Sequence, residues 1–156
     1  MIAKMRNGGE ACTAANRFIV HQSVVEAFTA KLADRMAALK VGPGANADTE
    51  CGPLVNESTA GKVAFLVQDA LDKGARLVCG GRAPDLPGYY YQPTVLADVP
   101  QDAEIAHEEI FGPVAAVYSF SEDDEAVAMA NDTEYGLVAY LYTTDLSRGC
   151  ACRSDS

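Results

Sequence analysis

The most constraining feature of this sequence is the stretch from Val114 to Phe120, an almost unbroken apolar run of strand length. A strand that is apolar on both faces needs cover on both faces, which is typical of parallel sheets flanked by helices. A short helix over residues 122–131, with Ser121 as N-cap, is predicted after it, and a second apolar run over residues 137–142 predicts another strand. This alternation predicts an α/β domain with a largely parallel sheet flanked by helices.

Two amphipathic helices are predicted in the first half of the chain. One follows His21, where Ser23 and Glu26 have the spacing of a capping box. The other spans residues 57–73, with Gly74 as its C-terminal cap. Apolar residues recur at intervals of three and four in both helices, which predicts one buried face for each. These residues are Val25, Phe28, Leu32, Met36 and Leu39 in the first helix, and Val63, Leu66, Val67, Ala70 and Leu71 in the second.

The remaining segments predict loops and short strands. Residues 41–56 are rich in Gly and Pro and have no periodicity, so they predict a loop. Residues Arg76–Cys79 predict a short strand. Residues 89–99 are rich in aromatic and β-branched side chains and predict extended structure, in which Pro93 indicates an edge strand or a bend.

Composition excludes several classes of function. The 156 residues carry a formal net charge of −10 and no cluster of Lys and Arg, so we expect no nucleic-acid partner. No apolar run approaches the ~18 residues of a membrane span, and no export signal opens the chain, so we expect no membrane partner and a cytoplasmic location. The odd number of cysteines, without a C-x-x-C pair, favours free thiols in a reducing compartment. We predict no metal site, since His21 and His107 also lack ligand spacing.

Cys12 is a candidate nucleophile because it follows a Gly-Gly pair, where a bare backbone lets a substrate carbonyl approach. A thiolate adds readily to an aldehyde, and a nearby backbone N–H can hold the resulting oxyanion. Taken alone, a single cysteine is more often a small buried hydrophobic residue. The residues around it therefore have to decide between these alternatives.

Two motifs together resemble the aldehyde dehydrogenase superfamily. The segment RNGGEACTAANRFIV is similar to the nucleophile segment of that superfamily and aligns Gly9, Glu10 and Cys12 with it. About a hundred residues later, HEEIFGP at 107–113 resembles the superfamily's second signature, EEIFGPV. Further similarity at 52–56, 91–95 and 131–145 extends the resemblance over residues 3–149. The resemblance implies that residues 1–149 are part of a catalytic domain of the aldehyde dehydrogenase fold.

The resemblance also implies roles for individual residues. Cys12 is implied to add to the aldehyde, after which hydride passes to a nicotinamide and water releases the acid from a thioester. Glu109 is implied to accept hydrogen bonds from the nicotinamide ribose hydroxyls, and Phe111 to pack beside the nicotinamide ring. The cofactor is implied to be NAD or NADP, with most of its binding site in a domain absent from this chain. Without the motif, Glu109 would be interpreted as a solvated carboxylate and Phe111 as a core aromatic residue.

Arg6 indicates the substrate. It lies six residues before Cys12, where the resemblance to bacterial succinate-semialdehyde dehydrogenases implies an arginine that holds the remote carboxylate of the substrate. A guanidinium suits this role because its planar fork forms two charge-assisted hydrogen bonds with a carboxylate. We therefore expect a small-molecule aldehyde, succinate semialdehyde, as substrate. A different aldehyde, or an ordinary surface arginine, remains the alternative.

The resemblance implies that essential parts lie outside this chain. In the superfamily the cofactor domain, an oxyanion-binding asparagine and a general-base glutamate precede the nucleophile segment, so we expect little or no activity from the chain alone. Full-length relatives are implied to be homo-oligomers, whereas the state of this chain stays open. Residues 150–156 depart from the family pattern, and one deleted base in a GC-rich codon series reproduces them. They predict a disordered, frameshifted tail.

Three functional interpretations remain at this point. The chain is a fragment of an aldehyde-oxidising enzyme, an inactive truncated remnant of one, or an unrelated thiol-based redox or binding module. The third accounts for Cys12 but for neither Arg6 nor the Glu109 to Pro113 motif.

Overall fold

The computed structural model describes residues 1–145 together with Ser147 and Gly149, so the predicted tail at 150–156 lies outside the described residues. A 3₁₀ turn, Arg6–Gly9, follows the first helix. The helices are α1 (Ile2–Met5), α2 (Val25–Ala37), α3 (Glu57–Asp72), α4 (Glu104–His107) and α5 (Asp123–Asn131). The strands are β1 (Arg17–His21), β2 (Arg76–Cys79), β3 (Thr94–Ala97) and β4 (Val114–Phe120).

The four strands form one sheet in the order β1-β4-β3-β2. Strand β4 pairs in parallel with both β1 and β3, and only β2 runs antiparallel to its neighbour β3. This confirms the predicted α/β class and the largely parallel sheet. It also confirms the predicted bounds of β4 and β2.

Strand β4 supplies side chains to two separate cores. Val114, Ala116 and Tyr118 pack in the core that contains α3 and α4. Ala115 and Val117 point to the other side and pack in the core that contains α2. All five side chains are buried. Because successive side chains of a strand alternate between its faces, a helix layer on each face explains the unbroken apolar run.

Helix α3 forms where the sequence predicts it. Asn56 caps its first turn by accepting a hydrogen bond from the Thr59 backbone N–H (2.9 Å), an interaction the prediction lacked. At the other end, Gly74 adopts φ +108°, the left-handed conformation of a C-terminal glycine. The predicted inward residues are buried, apart from Leu71, which is partly buried against the same core.

Helix α2 has the predicted apolar face but not the predicted cap. Leu32 and Met36 are buried, and Val25 and Phe28 pack partly buried against the same core. The capping-box prediction is wrong, since no side chain caps this helix. The Ser23 hydroxyl instead lies 2.7 Å from His21 Nδ1. Only three residues separate β1 from α2, and in that short turn the nearest partner of Ser23 is the side chain at the strand end.

Two local predictions near strands need correction. Of the two alternatives that Pro93 indicated, the edge strand is wrong, because β3 lies inside the sheet. Pro93 directly precedes β3, where its missing N–H removes no ladder hydrogen bond. Ser121 is not the N-cap of α5. The cap position is Glu122, and Ser121 donates its backbone N–H and hydroxyl to the Glu125 carboxylate (2.8 and 3.1 Å).

The predicted strand over residues 137–142 is wrong as well. These residues are exposed and form no β-ladder with the strands that the structure describes. An extended segment becomes a strand only when its backbone finds a pairing partner, and an apolar sequence does not provide one. Conversely, β1 forms without having been predicted, because its five half-buried residues give no alternating signal.

No helix in the described part of the chain has the length and apolar character needed to cross a bilayer.

Lys4 is an unusual charge in this fold. It lies in α1 and is fully buried, and its Nζ has no hydrogen-bond partner among the described residues. Burial away from water disfavours the ammonium form and lowers the pKa of Lys4 from 10.5 to about 7. The folded chain therefore binds fewer protons than the unfolded chain between these two values.

We predict that Lys4→Met stabilises the chain in a pH-dependent way. Below pH 7 both states of the wild type are protonated at Lys4 and the burial penalty is complete, so the gain is roughly 3–5 kcal/mol there. Between pH 7 and 10.5 the unfolded state holds the extra proton, so wild-type stability rises with pH and the gain shrinks. Urea unfolding at pH 6, 8 and 10 measures this, with exposed Lys31→Met as control. An equal gain at pH 6 and pH 10 would contradict the prediction.

Candidate active site

The segment that leads to Cys12 has an uncommon backbone. Asn7, Gly8 and Gly9 all have positive φ angles, of 50°, 64° and 87°. Residues with a Cβ rarely adopt a positive φ angle, although asparagine tolerates it better than most residues. The Gly-Gly pair of the motif is thus required by the backbone path, which ends the helical segment just before the thiol.

Cys12 itself lies on an exposed turn. The backbone N–H of Ala14 donates to the carbonyl oxygen of Ala11 (2.8 Å), so Cys12 and Thr13 are the two central residues of the turn. The thiol is exposed and unpaired. Its surroundings therefore leave room for a substrate carbonyl to approach.

The two sequence motifs are in direct backbone contact. A Cβ at Gly9 would lie only 2.3 Å from the carbonyl oxygen of Gly112 and 2.7 Å from its carbonyl carbon. Gly112 is enclosed in turn, since a Cβ there would lie 2.7 Å from a methyl carbon of Val63 in α3. Residues about a hundred positions apart in the chain therefore meet, and only glycine fits at their contact.

Side chains after Gly9 attach the nucleophile segment to neighbouring loops. Glu10 accepts a hydrogen bond from the Val55 backbone N–H (3.2 Å). Asn16 accepts one from the Ile110 backbone N–H (3.4 Å), within the second motif. Each of these bonds joins positions 45 or 94 residues apart, so they fix the segment in space.

Arg17 ties the end of the same segment to helix α5. Its guanidinium donates to the carbonyl oxygens of Met129 (2.6 Å) and Ala130 (2.9 Å). The last carbonyls of a helix lack partners within the helix, and a cation is favourable there. Arg17 thus gives the C-terminal carbonyl groups of α5 hydrogen-bond partners. This contact also holds the residues that follow α5 near the Cys12 turn.

The predicted cofactor residues lie in the second motif, on the other side of the glycine contact. Glu109 is half-buried and forms no hydrogen bond or ion pair with the described residues, whereas its neighbour Glu108 is paired with Lys62 (2.9 Å). Phe111 is partly exposed and has φ +46°, which is strained for a bulky residue. Such strain concentrates at functional sites. Glu109 is therefore available to a ligand, and Phe111 does not lie in the core.

Arg6, the predicted substrate residue, opens the 3₁₀ turn before Cys12. Its side chain is exposed and has no hydrogen bond or ion pair within the part of the chain that the structure describes. An unpaired guanidinium on the nucleophile segment is available to an anionic group.

The three described cysteines differ in their surroundings. Cys51 is buried, and burial first and the charge of Glu10 second raise its pKa to about 11. Burial also raises the pKa of half-buried Cys79. Cys12 is the exposed thiol of the three. No group of three or more metal-ligating side chains is arranged to hold an ion within the described residues.

One residue of the site was not predicted as a site residue. The Tyr140 hydroxyl donates to the carbonyl oxygen of Thr13 (3.2 Å), directly after Cys12. Tyr140 lies in the run that was predicted to be a strand, where an aromatic residue carries no distinguishing signal.

Comparison with known proteins gives the family. The chain belongs to the aldehyde dehydrogenase family, whose family model matches residues 1–155. It is 53% identical over 148 residues to a succinate-semialdehyde dehydrogenase of Paenarthrobacter nicotinovorans, a match that covers 95% of this chain and 33% of the relative. A 3-sulfolactaldehyde dehydrogenase of Pseudomonas putida is 43% identical over 148 residues, covering 95% of this chain and 30% of that protein.

Solved structures agree with this assignment. The crystal structure of succinate-semialdehyde dehydrogenase from Burkholderia pseudomallei is similar with a TM-score of 0.95 and 44% identity, covering 98% of this chain and 32% of that one. The predicted fold is thereby confirmed. The chain spans about a third of the length of the relatives that it matches.

We predict that alkylation distinguishes exposed Cys12 from buried Cys51. At pH 8 only about a thousandth of Cys51 is thiolate, because its pKa is about 11, and its sulfur is also inaccessible. Iodoacetamide should therefore modify Cys12 at least about tenfold faster than Cys51, as peptide mass spectrometry measures. Glu10→Gln should make Cys51 only modestly more reactive, since its burial persists. Equal labelling of Cys12 and Cys51 would contradict the prediction.

We also predict that Gly9→Ala is much more destabilising than Gly8→Ala. Both residues have left-handed backbones, which costs an alanine about 1–2 kcal/mol. A Cβ at Gly8 meets no atom within 4 Å, whereas one at Gly9 meets backbone atoms of Gly112 that have to move. The extra cost is at least about 2 kcal/mol. Urea unfolding of the two variants measures the difference, and similar midpoints would show that the glycine contact is not close.

Proposed function

We propose that this chain is the thiol-bearing part of an NAD(P)-dependent aldehyde dehydrogenase that oxidises succinate semialdehyde to succinate. The observation that carries the proposal is the contact of Gly9 with Gly112, which places the exposed Cys12 turn beside the segment of Glu109 and Phe111. The candidate nucleophile and the candidate cofactor residues thus lie in two segments that this contact joins.

Cys12 is proposed as the nucleophile. Its thiolate adds to the aldehyde carbon to form a thiohemiacetal, and loss of hydride from that carbon leaves a thioester on Cys12. Attack of water on the thioester carbon then releases the carboxylic acid and restores the thiol. The backbone N–H groups of Cys12 and Thr13 form no hydrogen bonds with the described residues, so they are available to the oxyanion.

Glu109 and Phe111 are proposed to hold the nicotinamide part of the cofactor. When bound, the nicotinamide accepts the hydride. The half-buried carboxylate of Glu109 has no ion pair with the described residues, which suits the hydroxyls of a ribose, and the partly exposed ring of Phe111 suits a flat heterocycle. Both NAD and NADP fit this role, since the residues present do not contact the adenine ribose in the proposed arrangement.

Arg6 is proposed to bind the remote carboxylate of the substrate. Its guanidinium is exposed and has no partner among the residues that the structure describes, so it is available for two charge-assisted hydrogen bonds. Similarity to succinate-semialdehyde dehydrogenases supports this substrate. A second candidate is a different aldehyde, because a 3-sulfolactaldehyde dehydrogenase is also similar to the chain.

The proposal concerns a larger enzyme than the residues described. We propose that the chain alone has little or no dehydrogenase activity, and that it works with the parts that its longer relatives possess, in the cytoplasm. An inactive remnant is the alternative. The division into residues 1–149, as part of the catalytic domain, and residues 150–156, as an unrelated tail from a frameshift, also stays a prediction.

A chimeric enzyme tests the function. Residues 1–149 replace the matching third of the Paenarthrobacter nicotinovorans enzyme, and we expect NAD(P) reduction with succinate semialdehyde that Cys12→Ala abolishes. Arg6→Met should raise the KM for succinate semialdehyde about tenfold or more, because a charged hydrogen-bond pair is lost, and should change the KM for butanal much less.

The control is Arg35→Met, which removes an exposed arginine of α2 away from the nucleophile segment. Activity that survives Cys12→Ala would refute the nucleophile. An Arg6→Met chimera with an unchanged KM for succinate semialdehyde would refute the substrate assignment while leaving the nucleophile intact.

A further inference from the structure

Tyr140 forms a hydrogen bond across the site that the proposed chemistry does not use. Its hydroxyl donates to the Thr13 carbonyl oxygen (3.2 Å), which joins positions 127 residues apart. The surrounding residues 137–142 are exposed and belong to no strand of the described sheet. This bond therefore ties a segment without ladder partners to the turn that carries the thiol.

The geometry of the turn gives this hydrogen bond a particular effect. The Thr13 carbonyl and the Ala14 N–H belong to the same planar peptide group. The Ala14 N–H closes the turn on the Ala11 carbonyl oxygen (2.8 Å), and the Thr13 oxygen accepts from Tyr140. The peptide group is consequently held at both of its polar ends, and its orientation is fixed.

The neighbouring peptide groups have no such support. The N–H groups of Cys12 and Thr13 form no hydrogen bond with the residues that the structure describes. The conformation of Cys12 therefore depends on the closure of the turn, and that closure depends on the peptide group that Tyr140 holds. No other described side chain bonds to the turn between Ala11 and Ala14.

We propose that Tyr140 is a positioning residue for Cys12, acting through the Thr13 carbonyl. The proposal rests on the proposed function of Cys12 as the nucleophile. Tyr140 does not contact the thiol; it keeps the turn closed so that Cys12 and the free N–H groups beside it hold one arrangement. Without the hydroxyl, the turn samples open conformations in which Cys12 and those N–H groups no longer keep that arrangement.

A purely structural role is the competing explanation. The hydrogen bond would then only anchor the exposed residues 137–142, and its loss would change that segment without changing Cys12. Measurements at the turn itself distinguish the two roles.

The test compares Tyr140→Phe with Tyr142→Phe in the full chain. Each variant loses one hydroxyl from the same segment, and Tyr142 is exposed without a hydrogen bond to the described residues. For Tyr140→Phe we expect the Ala14 amide to exchange with deuterium about three- to tenfold faster. We also expect the rate of Cys12 alkylation by iodoacetamide, mapped by mass spectrometry from pH 6 to 10, to fall about threefold because the thiol leaves its exposed position when the turn opens.

Tyr142→Phe should match the wild type in both measurements. Equal urea midpoints for the two variants would show that each chain remains folded. An unchanged Cys12 rate profile in Tyr140→Phe, or a faster reaction, overturns the proposal, even if residues 137–142 become more accessible to protease. Failure of the proposed function is seen separately, as Cys12-independent activity of the chimera.

Discussion

The contact between Gly9 and Gly112 is the constraint on which the site depends. Here backbone packs on backbone, so the two loops approach to a distance that no side chain allows. The position of this contact comes from the cores. Gly112 lies two residues before β4, the strand shared by both cores, and against Val63 of α3. The site therefore takes its geometry from the most buried part of the molecule, although Cys12 itself is exposed.

Much of the fold could be predicted because local pattern and tertiary environment agree. The apolar run of β4 and the periodic face of α3 each indicate their own burial, and the structure has both at the predicted residues. Prediction failed where the outcome depends on distant parts of the chain. Residues 137–142 have strand-like composition but no pairing partner among the described strands, and Ser23 has cap spacing but bonds to His21. Neither local sequence indicates which residues will lie beside it in the folded chain.

The candidate site, like the fold, could be predicted only in part from the sequence. Cys12 and Glu109 could be proposed from motifs, because the residue types and their order are characteristic. The hydrogen bonds that hold these motifs in place could not be predicted, because they join loops whose sequences have no periodicity. Examples are the bonds from Val55 to Glu10 and from Tyr140 to Thr13. The strained backbone of Phe111 likewise has no sequence signal, since only glycine marks a left-handed position in advance.

The attachments along residues 9–17 have a consequence for how such a chain can evolve. Gly9 and Asn16 contact the loop before β4, Glu10 bonds to Val55 and Arg17 to the end of α5, and the Cys12 turn lies between these attachments. A segment anchored at both ends works as a spacer of fixed length. Apart from Cys12, the proposed nucleophile, side chains within it that make none of these contacts can change identity, whereas one inserted or deleted residue would force either the glycine contact or the Arg17 cap to break. Variation among related sequences should therefore consist of substitutions here, and changes in length should fall in loops such as residues 41–56.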